Sequence, residues 1–214
     1  MAASHSRSLL TVEILGASLA VLGVSWVIAA PGGVPEWEQS VVRLFNGLPD
    51  WLFPVIWGPM QLGSLVGALL VAFGLFAAQR RACAVTYAAA VVIGWLVAVG
   101  VKQVVGRERP VGAGLDVMVR GADASGFGFI SGHTTVAFAG ATVIWAFYRR
   151  SWGLAAFGLA GVVGISRMYV GAHLPLDVVG GAAVGVFVGG LVTLIEHIIG
   201  SRREAPTIED GMHN

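Results

Sequence analysis

The sequence has little charge. Of its 214 residues only 12% are Asp, Glu, Lys or Arg, 56% are hydrophobic, and the mean hydropathy is +0.80. Soluble domains carry roughly 25% charged residues, so this chain could not clothe a water-facing globule and belongs in a membrane. Neither sign of charge is in excess: 13 basic and 12 acidic residues leave +1. Without a basic face to follow a phosphodiester backbone, nucleic acid is excluded as a partner. Cysteine is nearly missing as well. Cys83 stands alone, which rules out an internal disulfide and a thiolate metal cluster and leaves it as a small apolar filler. The length suits one domain over residues 1–214.

What the sequence does have is apolar runs. Leu9–Ala30, Met60–Ala78, Ala82–Val101, Ser131–Tyr148, Ser151–Tyr169 and Leu174–Ile199 each approach the roughly 20 residues that cross a hydrocarbon core. The expected fold is all-α, a polytopic membrane protein with a six-transmembrane-helix bundle in contact with the bilayer. A cleaved leader is the competing reading of the first run, but that run is long for a leader's apolar core and contains Glu13. After it, Trp37, Val41, Leu44 and Phe45 recur at helical spacing opposite Glu36, Glu38 and Arg43, which predicts a short helix lying in the interface. Trp51 and Trp57 fit an aromatic belt, while Pro54 and Pro59 delay the next regular helix until after them. Gly181, Gly185 and Gly189 form a stripe that seats the last span closely on a neighbour. Ser201–Asn214 reads as a polar, poorly ordered tail.

Basic residues set the orientation. Arg7, Arg80, Arg81, Arg149, Arg150, Arg202 and Arg203 fall on one side, and Arg43, Lys102, Arg107, Arg109, Arg120 and Arg167 on the other. With Lys102, Arg109 and Arg167 reserved for chemistry, the excess places both termini in the cytoplasm and the long loop 103–130 outside.

Depth brings those reserved residues together. At about 1.5 Å per residue, the run ending at Val101 climbs about 30 Å and delivers Lys102 to the outer interface, where Ser131 and His133 open the next span. Arg167 ends the fifth run, and His173 and Asp177 begin the sixth, so Lys102, Arg109, Ser131, Gly132, His133, Arg167, His173 and Asp177 share one level. Ionisable groups at membrane depth mark function. Arg109 and Arg167 can grip phosphate oxygens with planar forks, Lys102 adds a point charge, and Ser131-Gly132-His133 offers the amides of a helix start. His173 and Asp177, four apart on a helix, face the same way, so the carboxylate can hold one ring nitrogen while the other attacks. His133 arrives from another helix and can protonate a leaving oxygen, then activate water. A metal held by His133, His173 and Asp177 is the competing reading, opposed by the three neighbouring cations. His5, His197 and His213 read as structural, and Arg107, Glu108, Arg120 and Asp123 as loop salt bridges or solvated charges. Arg120 is the one that could touch a larger head group.

Three ordered signatures are present. Lys102 is followed after six residues by Arg109-Pro110, then comes Ile130-Ser131-Gly132-His133, then Ser166-Arg167 with His173 and Asp177. In these the chain resembles the type 2 phosphatidic acid phosphatase superfamily, integral membrane lipid phosphatases related to vanadium haloperoxidases. The resemblance implies a nucleophilic His173 oriented by Asp177, His133 as general acid and base, and phosphate bound by Lys102, Arg109, Ser131, Gly132 and Arg167, with no metal or other cofactor. Ile130 departs from the usual proline, but every residue with chemistry is kept. The expected activity is hydrolysis of lipid phosphate monoesters or pyrophosphates, of the undecaprenyl pyrophosphate, phosphatidylglycerophosphate or phosphatidic acid class, through a phosphohistidine. The compact chain looks like bacterial members, which implies the cytoplasmic membrane with the site on its outer face. A lipid phosphotransferase and a non-catalytic lipid carrier are the alternatives. An oriented nucleophile speaks against the carrier.

Overall fold

The computed structural model describes residues 2–30, 33–121 and 125–204, with backbone only for 2–11 and 202–204. Pro31, Asp123, His213 and the tail beyond Glu204 lie outside the described residues, as do the side chains of His5, Arg7, Arg202 and Arg203. The helices are α1 (Ala2–Ala29), α2 (Glu36–Asn46), α3 (Phe53–Met60), α4 (Leu65–Ala77), α5 (Arg81–Val105), α6 (Gly132–Phe147), α7 (Arg150–Tyr169) and α8 (Pro175–Glu204). Short 3-10 turns, Asp50–Leu52 and Gln61–Gly63, flank α3.

The middle of the bundle is α6, which packs on α5, α7 and α8, while α1 lies against the outside of α8. Small residues make that arrangement possible. A side chain on Gly181, Gly185 or Gly189 would come within 2.7, 2.5 and 2.7 Å of the carbonyl oxygens of Ser131, Thr135 and Ala139, so the glycine stripe of α8 lies directly on the α6 backbone, as read from its spacing. Val136, Ala139 and Val143 of α6 are buried with Ala68, Tyr87, Ala90 and Val91 of α4 and α5 on another side.

The expected count of six spans is wrong. Four helices among the described residues are long and apolar enough to cross a membrane, within Val12–Ala29, Arg81–Val105, Arg150–Tyr169 and Pro175–Ser201. A fifth is reached only if the pair Asp50–Gly63 and Leu65–Ala77, bent by 68°, counts as one broken span. The predicted span 131–148 is a 16-residue helix, about 24 Å long and shorter than a hydrocarbon core of about 30 Å. The predicted span 60–78 is interrupted at Ser64, which is extended (φ −74°, ψ 149°) and caps α4 by accepting the Gly67 N–H. Helix also begins earlier than the prolines foretold. Pro54 sits in the first turn of α3, where no amide partner is lost, and Pro59 lies near its end.

The short helix predicted after the first span exists as α2. Trp37 and Leu44 are exposed on its apolar face, whereas Glu38, Val42 and Asn46 are buried against the bundle. In a membrane the outward face meets lipid, so the polar side is the one free to find partners within the protein.

Candidate active site

Helix ends deliver the predicted residues to one place. Lys102 lies in the last turn of α5, His133 in the first turn of α6, Arg167 in the last turn of α7, and His173 in the reversal before α8. Gly171 makes that reversal possible with φ +72°, and a side chain there would collide with the Met118 carbonyl. A cavity of about 400 Å³ opens among these ends, lined by Lys102, Arg109, Gly132, His133, Arg167 and His173, with Gln61, Gly63, Ser64 and Trp95 on the side of α4 and α5.

Two expected residues do not line it. Ser131 is fully buried and caps α6, its hydroxyl accepting from the Thr134 N–H (3.4 Å) and the Thr134 hydroxyl (2.9 Å). Asp177 sits behind His173, its Oδ2 3.3 Å from the ring Nδ1 and 2.9 Å from the Leu174 N–H that donates to it. With the ring proton on Nδ1, Asp177 accepts it and Nε2 keeps its lone pair. The two motifs are tied together as well, because the Ser131 N–H donates to the Asp177 backbone carbonyl at 2.8 Å.

The cations are set for an anion. Two carbonyls, of Phe127 and Gly128, accept from the Lys102 ammonium at 3.0 and 3.1 Å, leaving one of its three N–H groups for the cavity. Arg167 is 5% exposed; its Nη1 meets the Met60 sulfur at 3.3 Å, and its Nε has no hydrogen-bond partner among the described residues. Buried guanidinium donors are costly to leave unmatched, and the oxygens of an anion are the acceptors that would match them. Gly132 and His133 line the same space, and their amides precede the first backbone bond of α6, from Thr135 N–H to Ser131 carbonyl. His173 is buried beside Lys102, Arg167 and Arg109, and burial first, then those cations, hold its imidazole well below the usual range, as the neutral ring. Ile130, where a proline was expected, is fully buried and packs with Phe129, Ala98 and Leu176.

Sequence reasoning missed Glu38 and under-read Arg107. Arg107 donates from Nη1 to Asp177 Oδ1 (3.1 Å) and pairs through Nη2 with Glu38, whose side chain has no exposed surface. Arg107 is a salt-bridged loop residue, as read, but its partner is the carboxylate behind His173. Arg120 is structural: it pairs with Asp50, donates to the carbonyls of Asn46, Tyr169 and Leu48, and stacks 4.5 Å over Tyr169.

Comparison with known proteins decides the family. The pattern of the PAP2 superfamily matches residues 81–199. The chain belongs to that superfamily. Like other PAP2 proteins it is a metal-independent membrane lipid phosphatase of the phosphohistidine type. Among the described residues, no three His, Cys, Asp or Glu side chains are grouped so as to hold a metal ion. A lipid A 4'-phosphatase of Bacteroides thetaiotaomicron is 30% identical over 190 residues, 79% of this chain and 81% of that one. LpxE of Aquifex aeolicus, in its crystal structure, superposes with a TM-score of 0.65 at 25% identity, covering 72% of this PAP2 chain and 93% of its own. The PAP2-type phosphatidylglycerolphosphate phosphatase of Bacillus subtilis has the same fold, with a TM-score of 0.72 at 20% identity over 86% and 96% of the two chains.

Proposed function

We propose that this PAP2 chain hydrolyses the phosphate monoester of a membrane lipid head group, with His173 as the nucleophile. The observation that carries the reading is the cavity itself, where three cations, two imidazoles and the start of α6 converge at one end of the bundle. Nε2 of His173 attacks phosphorus, the bond to the lipid oxygen breaks, and His133, having taken up a proton along with the negatively charged phosphate, gives it to that oxygen. His133 then takes a proton from water, which attacks the phosphohistidine; inorganic phosphate leaves and His173 is restored. Lys102, Arg109, Arg167 and the Gly132 amide hold the phosphate, and Ser131 fixes the helix start that presents that amide.

Lipid A and phosphatidylglycerolphosphate, named for the relatives, are both lipids with phosphate on the polar part, and the cavity exceeds one phosphate in size, which leaves room for a piece of head group. The side lined by Gln61, Ser64 and Trp95 is where that piece would lie. The chain forms one domain in this reading, with the cavity on the outer face and both termini in the cytoplasm. Arg80, Arg149 and Arg150, at the far ends of α5, α6 and α7 from the cavity, support that orientation.

The test is phosphate release by the detergent-purified protein from lipid A, phosphatidylglycerolphosphate, phosphatidic acid, undecaprenyl pyrophosphate and a soluble ester, with excess chelator. Release from a lipid monoester that survives chelation and disappears in His173→Ala is expected. Release untouched by that substitution overturns the mechanism. Transfer of phosphate to an added alcohol in preference to water would move the assignment to a phosphotransferase.

A further inference from the structure

Glu38 and Arg107 are buried, charged and outside the three signatures, and neither lines the cavity. Burying an ion pair gives little stability by itself, since desolvation offsets most of the attraction, so the pair asks for another account. Its hydrogen bonds supply one. Nη1 of Arg107 lies between Glu38 Oε1 (3.4 Å) and Asp177 Oδ1 (3.1 Å), and Nη2 completes a two-pronged grip on Glu38. Glu38 Oε1 also accepts the Leu176 N–H at 2.9 Å, in the first turn of α8, one residue before Asp177. Asp177 therefore has each oxygen assigned: Oδ1 to Arg107, Oδ2 to the Leu174 amide and the His173 ring.

We infer that Glu38 and Arg107 are positioning residues for the Asp177–His173 pair. The planar fork of Arg107, itself held at a fixed angle by Glu38, stops the Asp177 carboxylate from turning about its side-chain bond. Oδ2 then stays aimed at Nδ1, the ring keeps its proton there, and Nε2 remains the attacking atom. A lysine in place of Arg107 could supply the charge but not both prongs at once. The inference rests on His173 being the nucleophile, and it differs from a plain tether for α2, which would need the pair but not its bond to Asp177.

Two measurements test it. The first needs no turnover: nitrogen NMR of protein carrying labelled histidine, which separates the two ring tautomers. The wild type is expected to hold His173 in the Nδ1–H form, Arg107→Met to show a mixture, and Arg107→Lys to recover part of the wild-type signal. The second is kinetics on whichever lipid is hydrolysed. Arg107→Met is expected to lower kcat by about 10- to 100-fold, Glu38→Gln by less, each with KM within about threefold, since orienting groups of this kind typically act on that scale. In an Asp177→Asn background, Arg107→Met should cost almost nothing more, because the group it orients is already gone. A His173 tautomer unchanged by Arg107→Met overturns the inference, as do full additivity with Asp177→Asn or a loss confined to KM. A wild type that hydrolyses none of the lipids would instead sink the proposed function, with the tautomer result still deciding this one. Glu38→Gln, the same shape and still able to accept from Leu176, guards against a variant that merely fails to fold.

Discussion

His173 carries its protonation state in its surroundings. Burial and the cations Lys102, Arg167 and Arg109 keep the folded ring neutral, whereas an unfolded chain protonates it near about 6.5. Below that pH the unfolded state therefore binds more protons, and stability that is fully present above about 6.5 is lost as the pH falls. The melting temperature in detergent should drop between pH 7 and pH 5, and His173→Gln should flatten the drop; an equal slope in both proteins would contradict this. Arg167 offers a second check. Its Nε has no hydrogen-bond partner among the described residues, so Arg167→Lys should lower kcat/KM by about thirtyfold, the loss of about 2 kcal/mol for a hydrogen bond to a charged group, measured by steady-state phosphate release. Most of this site was legible in the chain, because Lys102, His133, Arg167 and His173 fall at or next to helix ends and Arg109 follows the end of α5 closely. Glu38 was not: a carboxylate on an amphipathic helix reads as solvated, and only the three-dimensional arrangement joins it to a guanidinium 69 residues away.

The helices themselves were readable in type and less so in extent. Apolar composition tells how far a run could extend, but not where it bends. Ser64 breaks the run 60–78 by taking the capping role of a helix start, and α6 stops at 16 residues because it is enclosed by α5, α7 and α8 and need not span lipid by itself. The glycine stripe of α8 was legible because its period of four equals one helical face. Its contact with α6 is tight enough to predict a cost. Gly185→Ala would set a methyl 2.5 Å from the Thr135 carbonyl oxygen and 2.9 Å from the Ala139 amide, so the helices must separate. A loss of about 1–3 kcal/mol is expected, read as a lower melting temperature in the same detergent, whereas Gly158→Ala, with open space around it, should leave the melt unchanged.

At the scale of the whole molecule, the orientation proposed above can be measured because thiols are so scarce. Cys83 is 4% exposed and should resist modification. Asp116→Cys in the long loop and Ser151→Cys at the start of α7 both fall on exposed positions at opposite ends of the bundle. A membrane-impermeant maleimide added to intact cells should label the first and spare the second until the membrane is opened. The reverse pattern would turn the protein over and put its chemistry on the inner leaflet.

The join of Glu38, Arg107 and Asp177 also has a meaning in time. A ribosome makes the three residues in that order, so an acid waits on α2 for a base that emerges with the end of α5, and the pair waits in turn for the start of α8. Until the last helix is threaded into place, the ring of His173 has no Asp177 carboxylate behind it. With His173 as the proposed nucleophile, the nascent chain would be inert toward the very lipids through which it is being inserted, and competence would arrive at one step, when the molecule is finished.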